Sequence, residues 1–323
     1  MKKDLKSTMA NKAHEEIPGN PSVSTSSKQK LNDRSNGKPL RILSEEDWKF
    51  WMHNGYVVIK NAIPKAQAKA TADFIWEFDE KKANDPSTWY AQPRAEMKMK
   101  ELAGTGMVEA YNHQTLWNNR QTQKIYDAFV DVWGTEKLWV TIDRVNLNFP
   151  QRPGEEKEGF IHWDYDPETR PQNVQGVIAL ADQMDEKMGG FQCIPWLYRN
   201  YDSWKLTQPE DRDLFQPNLD ALHDKIVKVV MEAGDLLIFN STEPHGIRPN
   251  RSENKVRIAQ YISMMPAEEE NQELIDWRVN SWKNRIAPEG YAFPGDPRNW
   301  EQERYTRADL STLGKKLLGL NKW

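Results

Sequence analysis

Three short segments carry residue types that can do metal chemistry. The first is His162-Trp163-Asp164. In extended backbone, residues i and i+2 project to the same face, roughly 6.6 Å apart along the strand at ~3.3 Å per residue. An imidazole and a carboxylate at that spacing can converge on one ion with bonds near ~2 Å. The same pattern also describes a solvated surface pair, so it needs a third ligand from elsewhere. His245 can supply one. It sits in the polar turn Glu243-Pro244-His245-Gly246, after the buried-type run Leu236-Leu237-Ile238-Phe239, and 81 residues beyond Asp164. That is enough chain for several strands to cross a sandwich and return. A loop histidine bonded to a carbonyl is the plainer alternative.

The third segment is Lys255-Val256-Arg257-Ile258-Ala259-Gln260-Tyr261, with Arg257 placed 12 residues after His245. In a strand, Val256 and Ile258 share one face, and Arg257, Ala259 and Tyr261 share the other. An arginine on an inner face is costly unless it meets an anion, and its fork suits a carboxylate held at two points. An edge-strand arginine in water fits the same pattern. Arg248 and Arg251 compete for the role, but the turn around Pro249 and Asn250 reads as exposed.

Two imidazoles and a carboxylate with positions left open describe the facial triad of non-haem Fe(II) oxygenases. An arginine one strand beyond the distal histidine suits a keto-acid cosubstrate. Other residues are weaker candidates. Asn146 and Asn148 alternate with Leu147 and could hydrogen-bond the cosubstrate, or serve as turn amides. Trp163 and Tyr165 flank the ligands as pocket walls or core, and Gln175 and Gln192 lie on candidate inner strands, where either could fix a pocket water. Cys193, the single cysteine, reads as a small buried apolar residue with no cationic neighbour to activate it.

The elements that must position these groups change character along the chain. Residues 1–40 are rich in Lys, Ser, Asn and Pro and read as a disordered tail. Residues 41–323 read as one domain: a helical part over 41–137, a β core over 138–265 and a helical extension over 266–323. Ser44-Glu45-Glu46-Asp47 has capping-box spacing, and Gly55 should end the helix it opens. A β-branched run follows at Tyr56–Ile59; Pro64 opens a second helical stretch to Phe78, and Thr115–Trp133 reads as helical. Short apolar runs at Leu138–Leu147, Val174–Leu180, Ile226–Met231, Leu236–Phe239 and Val256–Ile262 then suggest strands. Many short strands without intervening helices point to a sandwich, jelly roll or barrel.

Composition bounds the function. The 323 residues carry a formal net charge of −4, and 11% are aromatic. Mild acidity argues against duplex nucleic acid as partner. No apolar run approaches the ~20 residues of a membrane helix. One cysteine and no leader-like apolar segment fit a reducing cytoplasm.

The chain resembles the phytanoyl-CoA dioxygenase family of Fe(II)/2-oxoglutarate oxygenases. The resemblance runs from about Leu43 to Met265. It rests on Gly55-Tyr56-Val57-Val58-Ile59-Lys60-Asn61, His162-Trp163-Asp164, Gly189-Gly190 with Ile194-Pro195, Gly234-Asp235-Leu236-Leu237-Ile238-Phe239, His245-Gly246, Pro249-Asn250-Arg251-Ser252 and Arg257. It implies mainly β architecture with flanking helices (α+β) and a cupin-like double-stranded β-helix, or jelly-roll, core. It implies that His162, Asp164 and His245 bind Fe(II), that Arg257 holds the distal carboxylate of 2-oxoglutarate, and that O2 is the oxidant. The implied reaction is hydroxylation of an unactivated C–H bond in a small or medium organic metabolite, with release of succinate and CO2. Iron halogenases of related fold carry a small residue where Asp164 stands, which favours hydroxylation. A cupin-like metal-dependent isomerase or hydrolase without redox chemistry is the alternative. The chain departs from relatives at Pro195-Trp196-Leu197-Tyr198, Ile247 and Val177.

Overall fold

Local signals set the first elements. In the computed structural model, which describes residues 27–92, 94–97, 105–152, 154–155, 158–288 and 293–323, helix α1 spans Glu45–Asn54. The Ser44 side chain accepts the Asp47 N–H, the Asp47 side chain reaches back to the Ser44 N–H, and Gly55 closes the helix in the left-handed region at φ 72°. Strand β1 (Tyr56–Ile59) and helix α2 (Lys65–Phe78, behind Pro64) follow. The single helical stretch expected over Thr115–Trp133 is two helices, α3 (Gln114–Arg120) and α4 (Gln123–Trp133), broken at Gln121-Thr122. Of the expected tail, residues 1–26 lie outside the described residues. From Ser27 on the chain is held to the body. Ser27 N–H donates to Gln172 O and Asn32 N–H to Val132 O, both at 2.9 Å. Leu31 and Leu40 pack against the core.

The strands are β2 (Met107–Val108), β3 (Leu138–Val140), β4 (Val145–Asn148), β5 (Val174–Ala179), β6 (Met188–Cys193), β7 (Val227–Lys228), β8 (Leu236–Asn240), β9 (His245–Asn250), β10 (Arg257–Tyr261) and β11 (Met264–Pro266). A large sheet has the order β1-β8-β5-β10-β4-β2, a small one β7-β6-β9, and β11 pairs β3. Every pairing between these strands is antiparallel. The architecture is therefore mostly antiparallel sheet with flanking helices.

Side-chain alternation sorts the two faces of the large sheet. Val57, Ile59, Leu147, Val174, Ile178, Leu236, Ile238 and Ile258 turn outward into one apolar cluster with α2, α3 and α4. Tyr56, Val177, Ala179, Leu237, Phe239 and Ala259 turn inward and meet Phe191 and Cys193 of β6 with Val229 and Met231. Each large apolar side chain so buried contributes roughly 1.5–3 kcal/mol. Helix α5 (Pro195–Lys205) follows β6, with Pro195 in its first turn, where a missing N–H costs nothing. Helices α6 (Gln272–Asn284), α7 (Trp300–Arg304) and α8 (Thr312–Leu318) close the outer layer. Among the described residues, no helix is long and apolar enough to cross a membrane.

Candidate metal centre

His245 opens strand β9 and is not in a turn. The loop reading came from Glu243-Pro244, but the chain straightens one residue later because β6 is there to pair with it, Cys193 opposite His245. On its other side His245 meets His162 in an isolated bridge: His162 N–H donates to His245 O at 2.8 Å, and His245 N–H to His162 O at 3.0 Å. The close approach requires glycine at position 246, where a Cβ would lie 1.7 Å from the Phe160 carbonyl oxygen.

The bridge brings the three ligand candidates together. One donor atom from each of His162, Asp164 and His245 lies within 4.8 Å of the others. His162 Nε2 is 3.1 Å from Asp164 Oδ1, and His245 Nε2 is 3.4 Å from Asp164 Oδ2. Two imidazole nitrogens and a carboxylate converging on this scale are a donor set that would hold a divalent ion. His245 Nδ1 is 2.9 Å from the Glu243 carbonyl. A carbonyl only accepts, so Nδ1 carries the proton and Nε2 offers its lone pair. His162 Nδ1 is buried without a hydrogen-bond partner. Burial alone would raise the Asp164 carboxyl, but the adjoining imidazoles of His162 and His245 outweigh it and hold the group well below the usual carboxylate range. Gln175 Nε2 also donates to Asp164 Oδ2. The carboxylate is thus ionised and oriented.

Arg257 is fully buried at the start of β10. It faces Asn148 across β4, while Asn146 faces Ala259, so all three side chains share the inner face. Arg257 Nη1 donates to Asn146 Oδ1 at 3.0 Å, and its Nε and Nη2 have no partner. Gln175 lies on the same face of the sheet, opposite Phe239, at the end away from Arg257. The inner face therefore carries a cation at one end and the carboxylate of the triad at the other.

Three of the sequence candidates are bonded into the frame. Gln192 Nε2 donates to Phe160 O at 3.2 Å, steadying the segment before His162. Trp163 Nε1 donates to Thr242 O at 3.0 Å, and its ring lies in the apolar cluster with Tyr201 and Trp204 of α5. Asn173 Nδ2 donates to the Tyr165 hydroxyl at 2.5 Å. Gln175, expected to fix a water, holds Asp164 instead.

Other groups at the site had no usable signal in sequence. The rings of Phe239 and Phe191 lie 4.4 and 5.8 Å from that of His245. Arg248, read as exposed, is only 2% exposed. Its Nη1 donates to Phe191 O at 2.6 Å and Val229 O at 3.0 Å, and its Nε to Glu186 O at 3.1 Å. The misleading signal is Pro249, a residue of high turn propensity. β9 is the edge of its sheet, where a residue without an N–H is tolerated.

The chain matches the family model for phytanoyl-CoA dioxygenase (PhyH) over residues 51–259. "Ava biosynthesis cluster protein O" of Aspergillus versicolor is 24% identical over 248 residues, which cover 68% of this chain and 77% of that protein. The structure of GlcNAc Inducible Gene 2 from Candida albicans superposes with a TM-score of 0.61 at 15% identity, covering 87% of this chain and 77% of that one. Hypothetical protein JW0805 from Escherichia coli gives a TM-score of 0.59 at 15% identity, over 88% and 86% of the two chains. These two likenesses show a shared fold. The family match spans most of the chain and encloses the His-Asp-His cluster, so this protein belongs to the phytanoyl-CoA dioxygenase family, oxygenases whose cofactors are Fe(II) and 2-oxoglutarate.

Proposed function

We propose that this chain hydroxylates an unactivated C–H bond of a small or medium organic metabolite, with 2-oxoglutarate and O2 consumed and succinate and CO2 released. His162, Asp164 and His245 would hold Fe(II), and the two facing sheets would be the halves of a double-stranded β-helix. The carrying observation is the convergence of those three donors within 4.8 Å. Bound iron supplies the oxidative chemistry, which no side chain can perform.

The protein supplies position and exclusion of water. Glu243 O fixes the tautomer of His245, and Gln175 fixes the carboxylate of Asp164. Arg257 offers the unpaired Nε and Nη2 edge of its guanidinium, a fork that matches the distal carboxylate of the keto-acid. Asn146 steadies that fork from the other side. The inner apolar residues Val177, Leu237, Phe239 and Phe191 keep the space between the sheets dry.

Anaerobic titration of the Fe(II)-loaded protein with 2-oxoglutarate tests the reading. A visible charge-transfer band is expected, followed by succinate release when a metabolite library is screened in air. No band, with an isomerase or hydrolase activity supported by zinc or nickel, would establish the non-redox alternative. Asp164→Ala should abolish both band and turnover; hydroxylation retained in that variant sinks the triad assignment.

A further inference from the structure

Arg257 has a second buried cation in its neighbourhood, Arg248. Strand β6 enters this region through Gly189 and Gly190, at φ 81° and 112°. A Cβ at Gly190 would lie 3.1 Å from Arg248 Nη2 and 3.2 Å from Gln183 Oε1. A Cβ at Gly189 would lie 2.8 Å from Asn148 Oδ1, and Asn148 faces Arg257 across the sheet. Gln183 Nε2 donates to the carbonyl of Ile258, the residue after Arg257, at 3.3 Å. Gly190 thus makes room for Arg248 beside Gln183, which bonds the strand next to Arg257, and Gly189 makes room for Asn148, which faces Arg257.

The polar atoms of these four side chains are under-used. Arg248 Nη2, Arg257 Nε and Nη2, Gln183 Oε1 and Asn148 Oδ1 are buried and have no hydrogen-bond partner. Arg248 spends its Nε and Nη1 on three backbone carbonyls, so its Nη2 edge is left over. Neither guanidinium has a buried carboxylate beside it among the described residues. The acidic groups nearest Arg248, Asp185 and Glu186, pair at the surface with Lys255 and Lys228 at 3.3 and 3.4 Å. Two buried guanidinium groups with idle N–H groups and no counter-ion describe an anion site.

We propose that Arg248 is a second carboxylate-binding group of the cosubstrate pocket, so that the distal carboxylate of 2-oxoglutarate is held between Arg248 and Arg257. The inference deepens the functional reading and rests on it. Burial and the facing charge of Arg257 push the Arg248 guanidinium down to about 10, which a bound carboxylate would relieve. A dicationic subsite selects a diacid over a 2-oxo monoacid more strongly than one arginine does. The competing role is purely structural: a staple on the carbonyls of Glu186, Phe191 and Val229.

Anaerobic calorimetric titration of the Fe(II)-loaded protein separates the two roles. The probes are 2-oxoglutarate and 2-oxobutyrate, which lacks the distal carboxylate, and the variants are Arg248→Lys, Arg248→Met and Arg257→Met. Losing one charge-assisted contact should weaken 2-oxoglutarate binding about 10- to 100-fold in Arg248→Met. Arg248→Lys keeps the charge without the fork and should lose about tenfold. Binding of 2-oxobutyrate should stay unchanged in both. If Arg248→Met does not fold, Arg248→Lys decides. Wild-type affinity for 2-oxoglutarate in the Arg248 variants, with a loss confined to Arg257→Met, overturns the role of Arg248 and leaves the cosubstrate reading standing. Equal affinity of the wild-type protein for the two acids overturns both.

Discussion

His162 and His245 exchange both of their backbone hydrogen bonds, at 2.8 and 3.0 Å, although four strands and helix α5 intervene between them. A pair that exchanges both bonds holds its Cα atoms about 5.5 Å apart and sends its side chains to one side. The two imidazoles are thereby placed by main chain, with ring centroids 4.8 Å apart. Asp164, two residues after His162, completes the cluster from the same side.

The bridge depends on position 246. A Cβ there would sit 1.7 Å from Phe160 O, a contact that only backbone movement can relieve. Gly246→Ala should lower Fe(II) affinity at least about tenfold and reduce the melting temperature. Anaerobic metal titration with thermal unfolding reads both. Undiminished affinity would show that the bridge does not set the site.

Gln175 is the partner that orients Asp164 from the sheet. Its replacement by leucine keeps the size and removes the donor. Outer hydrogen bonds to metal ligands are commonly worth 10- to 100-fold in affinity, and a loss of about that size is expected for Gln175→Leu. Far-ultraviolet circular dichroism should be unchanged. An iron affinity equal to that of the wild type would remove Gln175 from the site.

Arg257 should act on the cosubstrate and not on the metal. Arg257→Met leaves a side chain of similar reach and no charge. The KM for 2-oxoglutarate should rise about 30-fold or more, as for other truncated partners of buried charge pairs. Iron affinity should stay within about twofold. Steady-state kinetics beside metal titration distinguish these; a lost iron affinity with an unchanged KM would reverse the assignment.

His113 makes a prediction about stability. Its ring stacks on Phe74 at 3.7 Å, and burial pushes its pKa down from 6.5 to about 4. The folded state therefore binds fewer protons than the unfolded chain between those values. The stabilisation is complete above pH ~6.5 and is lost as pH falls through 4, by at most about 3 kcal/mol. His113→Asn keeps a side chain that can cap α3 and removes the titration. Urea unfolding at pH 8, 6 and 4.5 should show a shallower acid loss in the variant. Parallel pH profiles would contradict this.

Much of the site was legible from local pattern. The i, i+2 spacing in His162-Trp163-Asp164 put imidazole and carboxylate on one side and sent Trp163 elsewhere, to the cluster with Tyr201 and Trp204. Alternation in β10 put Arg257 and Ala259 on the inner face. These follow from backbone geometry over a few residues, which sequence encodes directly. Of strand β6 only the part around Gln192 was legible, because Gly189-Gly190 has low strand propensity and is held in the strand by pairing with β9. Arg248 was read as exposed because Pro249 signals a turn, while its burial depends on β9 being an edge strand beside those glycines.

By itself, then, the sequence determined which chemistries were present and which face of each strand carried them. Tertiary structure decided which groups meet. Gln175 reaching Asp164, Glu243 O orienting His245 and Arg248 lying near Arg257 all join segments distant along the chain. Hydrogen bonding and desolvation act over a few ångströms of space, and that proximity exists only once the sheets have paired.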